Sequence, residues 1–395
     1  EDVKRTSRVR IECSLMSFWE AIDYKNSRKV LVIPNITNSS NIEKDSFVDV
    51  LFNHITALDN VGEYFWNVIL PKPVKKLNLD NVKQHILPFS GDMMNQRAFP
   101  PDFIKLMKDT EYDVIYSHLT DWVQVGRYAN YQDINGKKVP TKIIGYNHWW
   151  EMKSCNGIDR RAGKPKWMWL PIELLGVSQM DTCYLNTQDQ KNRVLEEAKE
   201  TFNDEFVSNL DNILTVWNLG LPKDKIVPTP SKDKTPTIVF NHRAAAYKGY
   251  PKFLELMREY RTQRQDFNVW IPQLDGQSPE AWIDNSKSPK HEYYERLRNC
   301  TVGIQMKQTN YGWSVSGTDC MMNGTPMIWN DSLCYREIDP NGLFFTKKKE
   351  FFELLDKFLD NDIFKNEQSI KAIQRAHELS SNEDKMIVEL HKKLS

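Results

Sequence analysis

Arg243 and Lys248 stand five positions apart in the segment Asn241 to Phe253, NHRAAAYKGYPKF, between an apolar run that reads as a strand and a run that reads as a helix. Two cations fixed at a strand's end suit an anion, because an Arg grips two phosphate oxygens at once and a Lys acts as a compact point charge. A second stretch, GWSVSGTDCMMNGTPMIWN, opens with a loop of small and hydroxylic residues: Gly312, Ser314, Ser316, Gly317 and Thr318. It continues into a helix carrying Asp319 and reaches a strand through Gly324-Thr325-Pro326. An Asp on a helix is more often a solvated charge than a ligand, but its place after such a loop makes this one a candidate. Two further predicted strands end in His118 and His148, positions from which a side chain can reach a ligand at a sheet's edge. After His148 come Trp149, Trp150 and Glu151, then the stretch Lys153 to Trp169, in which Lys153, Arg160, Arg161, Lys164 and Lys166 face one acid. Cations interleaved with aromatics suit a polyanion whose bases can be stacked or flipped; the same tryptophans would stack on sugar rings.

These residues need a scaffold, and the chain is long enough to supply two. At 395 residues it exceeds what one hydrophobic core normally organises. Short apolar runs alternate with amphipathic ones: a strand at 29–34, a helix at 47–58, strands at 66–70, 84–87, 113–116 and 142–146, and a helix at 101–108. A strand at 182–185 and a polar helix from 188 complete the first set. A proline-rich, charged stretch intervenes, and the alternation resumes from 237 to 329. Such a pattern predicts parallel sheets covered on both faces. We expect an extension over 1–28, a first Rossmann-like domain over 29–220, a linker over 221–232, a second Rossmann-like domain over 233–365, and a last helix over 366–395 that crosses back to the first domain. Two doubly wound halves meet at a cleft where strand C-termini and helix N-termini converge, which predicts a phosphate-bearing ligand.

Composition narrows the classes further. Lys plus Arg and Asp plus Glu both number 53, so no global field draws the whole surface to nucleic acid or an anionic membrane, and any polyanion must be held locally. The six cysteines show no CxxC pair or Cys/His spacing for zinc, so no metal site is expected, and a reducing cytoplasm is the simplest setting. No apolar run approaches the roughly 20 residues that cross a bilayer, and nothing resembles a signal peptide.

The order and spacing of these motifs resemble retaining GT-B nucleotide-sugar glycosyltransferases (family-four-like), which implies an α/β fold of two Rossmann-like domains facing a central cleft. The resemblance covers the second domain well and the first loosely. Asp319, five residues before Gly324, matches the carboxylate that holds the donor's ribose hydroxyls, and Arg243 and Lys248 match the clamp on its diphosphate. The acidic residue that the family places earlier in this loop falls at Tyr311, so that half of the paired-carboxylate pattern is missing. Tyr335 to Ile338 and Asn341 to Phe345 match later family segments that serve packing. His148 corresponds to a histidine near the transferred sugar, with Asn147 and Glu151 as assistants and His118 behind it. The family's glycine pair after the first strand is absent; Thr37, Asn38, Ser39 and Ser40 stand there instead. The resemblance implies a UDP-sugar or similar donor as co-substrate, no other cofactor, and transfer with retention, with Asn241 and the loop from Gly312 to Thr318 lining the donor site.

The acceptor remains open between two classes. The compact form and the basic aromatic loop are similar to phage DNA glucosyltransferases, which implies double-stranded DNA with hydroxymethylated pyrimidines, in a host's cytoplasm. A glycan or small molecule fits the same residues. A nucleotide-sugar epimerase of the same fold would need acids and bases around the sugar ring, and a non-catalytic nucleic-acid module would leave Arg243, Lys248 and Asp319 unexplained.

Overall fold

The computed structural model describes residues 27–36, 42–44, 46–87, 103, 105–106, 111–120, 123, 131–134, 137–147, 149–155, 158–159, 164–231, 235–309 and 311–395. In the first domain β1 (Arg28–Ile33), α1 (Ser46–Asp59), β2 (Tyr64–Leu70), β3 (Val82–Ile86) and β4 (Val114–Ser117) are followed by a hairpin of β5 (Tyr131–Ile134) and β6 (Lys137–Pro140). Then come β7 (Lys142–Tyr146), a two-residue hairpin of β8 (Ile158–Asp159) and β9 (Lys164–Pro165), α2 (Leu170–Val177), β10 (Thr182–Leu185), α3 (Gln188–Ala198), α4 (Asp204–Ile213) and β11 (Leu214–Val216). The second domain holds β12 (Thr235–Val239), α5 (Tyr250–Gln263), β13 (Asn268–Trp270), β14 (Ile283–Asp284), α6 (Lys290–Asn299), β15 (Cys300–Gln305), α7 (Val315–Met322), β16 (Met327–Asn330), α8 (Leu333–Ile338), β17 (Leu343–Phe345), α9 (Lys348–Asp360) and α10 (Asp362–Leu394).

Both large sheets are wholly parallel. The first runs β3-β2-β1-β4-β7-β10-β11 and the second β14-β13-β12-β15-β16-β17. In each, the chain winds outward in one direction and then restarts beside the first strand in the other, the doubly wound order. Burial on both faces explains why the central strands are unbroken apolar runs: Val30 to Ile33 in β1 are fully enclosed, as is all of β15. The elements that the apolar pattern marks least clearly, α4 and β11, have a physical signature after the fact. Asn203 caps α4 by accepting a hydrogen bond from Phe206 N at 2.9 Å, and β11 adds the last parallel strand beside β10.

The stretch between the domains is packed rather than loose. Leu221 and Ile226 are buried in the second domain's core, and Val227 N donates to Met322 O. The long α10, about 50 Å at 1.5 Å per residue, joins both bodies. Ala372, Ile373, Ala376 and Leu379 pack into the second domain, whereas Met386, Ile387, Leu390 and Leu394 belong to the first domain's core. His391 Nδ1 meets Tyr64 Oη at 2.6 Å near its end. Where α10 passes the inter-domain chain the backbones nearly touch: a Cβ on Gly220 would stand 2.3 Å from Glu383 N.

Candidate functional site

The strand order of the second sheet reverses between β12 and β15, and the chain leaving these two strands builds the site. Asn241, His242 and Arg243 follow β12; Gln305 ends β15. His242 is enclosed, and burial together with the charge of Lys248 holds its imidazole well below the ordinary range, at about 3. The ring is therefore neutral at any physiological pH. Its Nε2 faces Gln305 Oε1, and the amide of Gln305 donates to Met306 O and Tyr335 Oη at 2.8 Å each. Oε1 is thus the acceptor, and Nε2 of His242 carries the proton. Ser314 caps α7, accepting from Gly317 N at 3.1 Å while donating to the same Gln305 oxygen. This network ties the ends of β12, β15 and α7 into one platform.

Lys248 closes a 3₁₀ turn, Ala246–Lys248, that ends on Gly249 with φ 76°. Only a residue without a Cβ fits there, since a Cβ would lie 2.5 Å from Met306 Cβ. The turn brings the Lys248 ammonium to Gln308 Oε1 and beside the exposed Arg243. Burial, reinforced by the Arg243 charge, lowers the Lys248 pKa to about 8. Two cations thus share one edge of the platform, and an anion placed between them would relieve both.

On the platform's other side Asn241 Nδ2 donates to Ser316 O at 2.7 Å and to Tyr293 Oη at 2.9 Å, and Tyr293 Oη reaches Asp319 Oδ2 at 3.5 Å. Burial among these groups raises the Asp319 carboxyl to about 7, although Lys290, the Tyr293 hydroxyl and Lys225 oppose the shift. Asn241 therefore connects the segment of Arg243 and Lys248 to the acid through a single tyrosine. Lys290 in turn reaches Asp49 of α1 at 3.0 Å, and despite burial the charges of Lys76 and Lys290 keep Asp49 below the usual carboxylate range.

The two domains meet around the chain that leaves β15. Glu337 of α8 caps α3 of the first domain, accepting from Gln188 N at 2.8 Å and Asp189 N at 2.9 Å. Hydrogen bonds to a carboxylate at a helix N-terminus contribute about 1.5–3 kcal/mol each when shielded. Thr187 Oγ1 donates to Tyr311 O at 2.8 Å, Ser154 Oγ to Thr309 O at 2.7 Å, and Trp149 packs edge-on to Tyr247 at 5.6 Å.

Of the expected site residues, Arg243, Lys248, Asn241, Ser314, Ser316, Gly317, Thr318 and Asp319 come together at this platform, with Gly312 buried in the loop before α7. The hydroxyls of Ser314 and Thr318 are engaged within the helix end, the latter donating to Val315 O at 3.0 Å, so they shape the loop rather than present free hydroxyls. A Cβ on Gly317 would strike the Trp329 ring at 2.5 Å, so that glycine serves packing. In the first domain Trp149 stands at the domain junction, but Trp150 and Glu151 are fully enclosed, and Glu151 N is held by Glu173 Oε2 at 3.1 Å. Direct acceptor contact through them is therefore excluded by burial in this conformation; their place is behind Trp149. His118 is likewise buried, with Tyr116, Tyr146 and Phe47 around its ring. His148, Arg160 and Arg161, and Thr37 to Ser40, lie outside the described residues, as do the side chains of Lys164 and Lys166. The residues that sequence reasoning missed are Tyr293, Gln305, Gln308 and Glu337. Gln305 had a signal, ending an apolar run, and Glu337 stood in a segment matched only to packing; Tyr293 and Gln308 had none, Tyr293 acting across 26 positions and Gln308 across 60.

No family model matches the sequence, and no curated protein matches it. Solved structures do match in shape. TarM aligns at 13% identity over 74% of this chain, TM-score 0.53, and this chain covers only 57% of TarM. Anabaena HepE, solved in complex with UDP and glucose, aligns at 10% identity over 92% of this chain and 99% of its own, TM-score 0.60. A trehalose-6-phosphate synthase, solved in work on glycosyl transfer with retention using bisubstrate glycomimetics, aligns at 12% identity over 93% and 99%, TM-score 0.62. The chain has the GT-B fold, two Rossmann-like domains facing a cleft. Among the described residues no group of His, Cys, Asp and Glu could hold a metal ion, and no helix is long and apolar enough to cross a membrane.

The raised carboxyl of Asp319 makes a stability prediction with a definite sign. In the unfolded chain an Asp titrates near 3.8; in the fold this one titrates near 7. Its contribution to stability is full below pH 4 and is lost as pH rises through 7. Asp319→Asn, which cannot ionise, should therefore match the wild type at pH 4 and exceed it by about 1–3 kcal/mol at pH 8. Denaturant melts at the two pH values measure this, and a variant less stable than wild type at pH 8 would show that the carboxylate is not confined.

Proposed function

We propose that this chain is a nucleotide-sugar glycosyltransferase that takes a sugar from a UDP-sugar and passes it, with retention, to a hydroxyl group of an acceptor. The observation that carries this reading is the platform itself: two cations on one edge, and on the other a carboxylate linked to them through Asn241 and Tyr293. A sugar nucleotide has the matching order of parts, a diphosphate and then a ribose with two hydroxyls. The buried polar atoms Asn241 Oδ1, Gln308 Nε2 and Thr309 Oγ1 have no hydrogen-bond partner among the described residues. Unmet groups of this kind cost about 1–3 kcal/mol each, which hydroxyls or phosphate oxygens of such a donor would recover.

In this reading Arg243 and Lys248 receive the charge that develops when the bond between the anomeric carbon and the diphosphate oxygen breaks and its electron pair passes to that oxygen. The acceptor oxygen bonds the anomeric carbon on the face being vacated, and its proton goes to the departing phosphate. Asp319, ionised above pH 7, accepts from the ribose hydroxyls. Neutral His242 and Gln305 add no charge and hold the strand ends in place. His148 contacts the transferred sugar. The retaining course is supported by the order of motifs and by the trehalose-6-phosphate synthase whose fold this chain shares.

For the acceptor we propose double-stranded DNA with hydroxymethylated pyrimidines. The sequence holds five cations between Lys153 and Lys166, and of these Lys153 lies 5.7 Å from the ring of the exposed Trp167. An exposed aromatic in a basic stretch of sequence suits stacking on a displaced base. Offering UDP-sugars with hydroxymethylated DNA, plain DNA and oligosaccharides, and reading mass gain on each, decides the acceptor; gain on oligosaccharides alone would replace DNA with a glycan.

Arg243→Ala should lower turnover by about 100-fold or more, with the chain's melting unaltered because Arg243 is exposed; near-normal turnover would remove it from the mechanism. UDP affinity should depend on pH through Lys248. Above about pH 8 the free chain has lost that proton, so binding at pH 9 should take up a proton and weaken relative to pH 7.5. Calorimetry in buffers of different ionisation enthalpy reads the uptake, which Lys248→Arg should abolish. Neutralising Arg160, Arg161, Lys164 and Lys166 together should reduce the slope of log affinity for DNA against log salt by about 2–4; an unaltered slope would place the DNA elsewhere.

A further inference from the structure

We propose that Ser154 and Thr187 of the first domain, together with Glu337 of the second, are positioning residues for sugar transfer, a role that rests on the nucleotide-sugar reading above. They clamp the chain between β15 and α7 so that Gln308 presents Lys248 to the diphosphate only when the two domains are closed.

That chain is bonded in two directions. Its amides belong to its own domain: Lys307 N donates to Asn330 Oδ1 at 3.3 Å, Gln308 N to Tyr335 Oη at 3.2 Å, and Thr309 N to Tyr247 O at 3.3 Å. Two of its carbonyls reach the other domain, Thr309 O accepting from Ser154 Oγ and Tyr311 O from Thr187 Oγ1. Tyr311 has φ 50°, the left-handed region that a residue with a Cβ occupies at a cost. Its ring lies 5.0 Å from the Arg193 guanidinium of α3. First-domain contacts thus hold the carbonyl and the ring of a strained residue of the second domain.

Glu337 sets the register of this contact. Its carboxylate takes the two amides that follow Thr187 in sequence, and Asn218 Nδ2 approaches it at 3.4 Å. Separation of the domains would remove the partners of Thr309 O, Tyr311 O and Glu337 in one movement. Gln308 lies next to the clamped Thr309, with its side-chain oxygen on Lys248 Nζ and its Nε2 buried without a hydrogen-bond partner among the described residues. A loop relaxed by opening would release the lysine from its place on the leaving group, so that the donor is activated in the closed cleft and shielded from water there.

Ser154→Ala, Thr187→Val, Thr187→Ser and Glu337→Ala test this, with UDP affinity by calorimetry, steady-state kinetics, and the share of donor lost to water. Expected for Ser154→Ala, Thr187→Val and Glu337→Ala is a kcat about tenfold lower or more. Donor KM and the UDP dissociation constant should stay within about threefold of wild type, and the hydrolysed share should rise. Thr187→Ser, which keeps the hydroxyl, should return kcat to within about twofold of wild type. Thr187 also caps α3 by accepting from Gln190 N at 3.1 Å, so the valine variant risks the fold; Ser154→Ala has no such second duty. UDP should contract the wild type in small-angle scattering, and contract the three variants less. Transfer by the wild type together with unaltered kcat and hydrolysed share in Ser154→Ala and Glu337→Ala would overturn the positioning role alone, as would equal contraction. A wild type that neither binds UDP nor consumes any nucleotide sugar would overturn the nucleotide-sugar reading, and this role with it.

Discussion

Lys248 sits where an ammonium group is least at ease, partly withdrawn from water and beside the guanidinium of Arg243. Among the described residues its hydrogen-bond partner is a neutral amide, Gln308 Oε1, which stabilises the charge without cancelling it. The surroundings respect that tension. His242, whose ring feels the Lys248 charge, is kept neutral by burial, so no third cation accumulates, and Gln305 uses its oxygen to hold that ring and its amide to hold Tyr335. An anion placed between the two cations would relieve both. A site built with matched carboxylates would be more stable when empty and would gain less from binding a diphosphate.

The same logic governs the acid. Asp319 is placed where its proton is hard to lose, with a tyrosine hydroxyl as its nearby donor and more distant help from Lys290 and Lys225. Stability of the empty fold and affinity for a polar ligand are thus opposed at both ends of the platform, a pattern common where groups are held ready for charge that arrives later. The cost is met by the two enclosed sheets and by α10, whose apolar residues enter both cores and so tie the halves together while the cleft contacts stay polar. The exposed pair of Lys290 with Asp49 adds little across the cleft, whereas the seam along α10 is apolar and enclosed.

Much of the scaffold was legible in the chain because fully enclosed parallel strands must be apolar throughout. The strands 142–146 and 182–185 agree residue for residue with β7 and β10. Where burial was one-sided or short the pattern was silent, as at α4 and β11. The placement of Arg243 and Lys248 after β12 and of the acid on α7 was legible because strand, turn and helix impose fixed spacing on neighbours in sequence. Glu337 was read as packing, yet it joins the domains: a surface glutamate on a short helix carries no mark of the helix that will lie against it. Trp150 and Glu151 show the opposite error, since a tryptophan pair followed by an acid reads as a binding surface until burial is known.

The sequence by itself determined what depends on neighbours along the chain: two sets of alternating strands and helices, the cations that follow a strand's end, the acid after a serine-rich loop, and equal numbers of acids and bases that leave no long-range field. Tertiary structure alone decided which distant groups face one another: Tyr293 between Asn241 and Asp319, Gln308 beneath Lys248, and the carbonyls of Thr309 and Tyr311 reaching across to the first domain. The reason is physical. Local hydrogen bonding and side-chain periodicity are encoded over a few residues, whereas a pKa, a closed cleft or a shared carbonyl depends on burial and on partners far away in the chain, which exist only once both cores have formed.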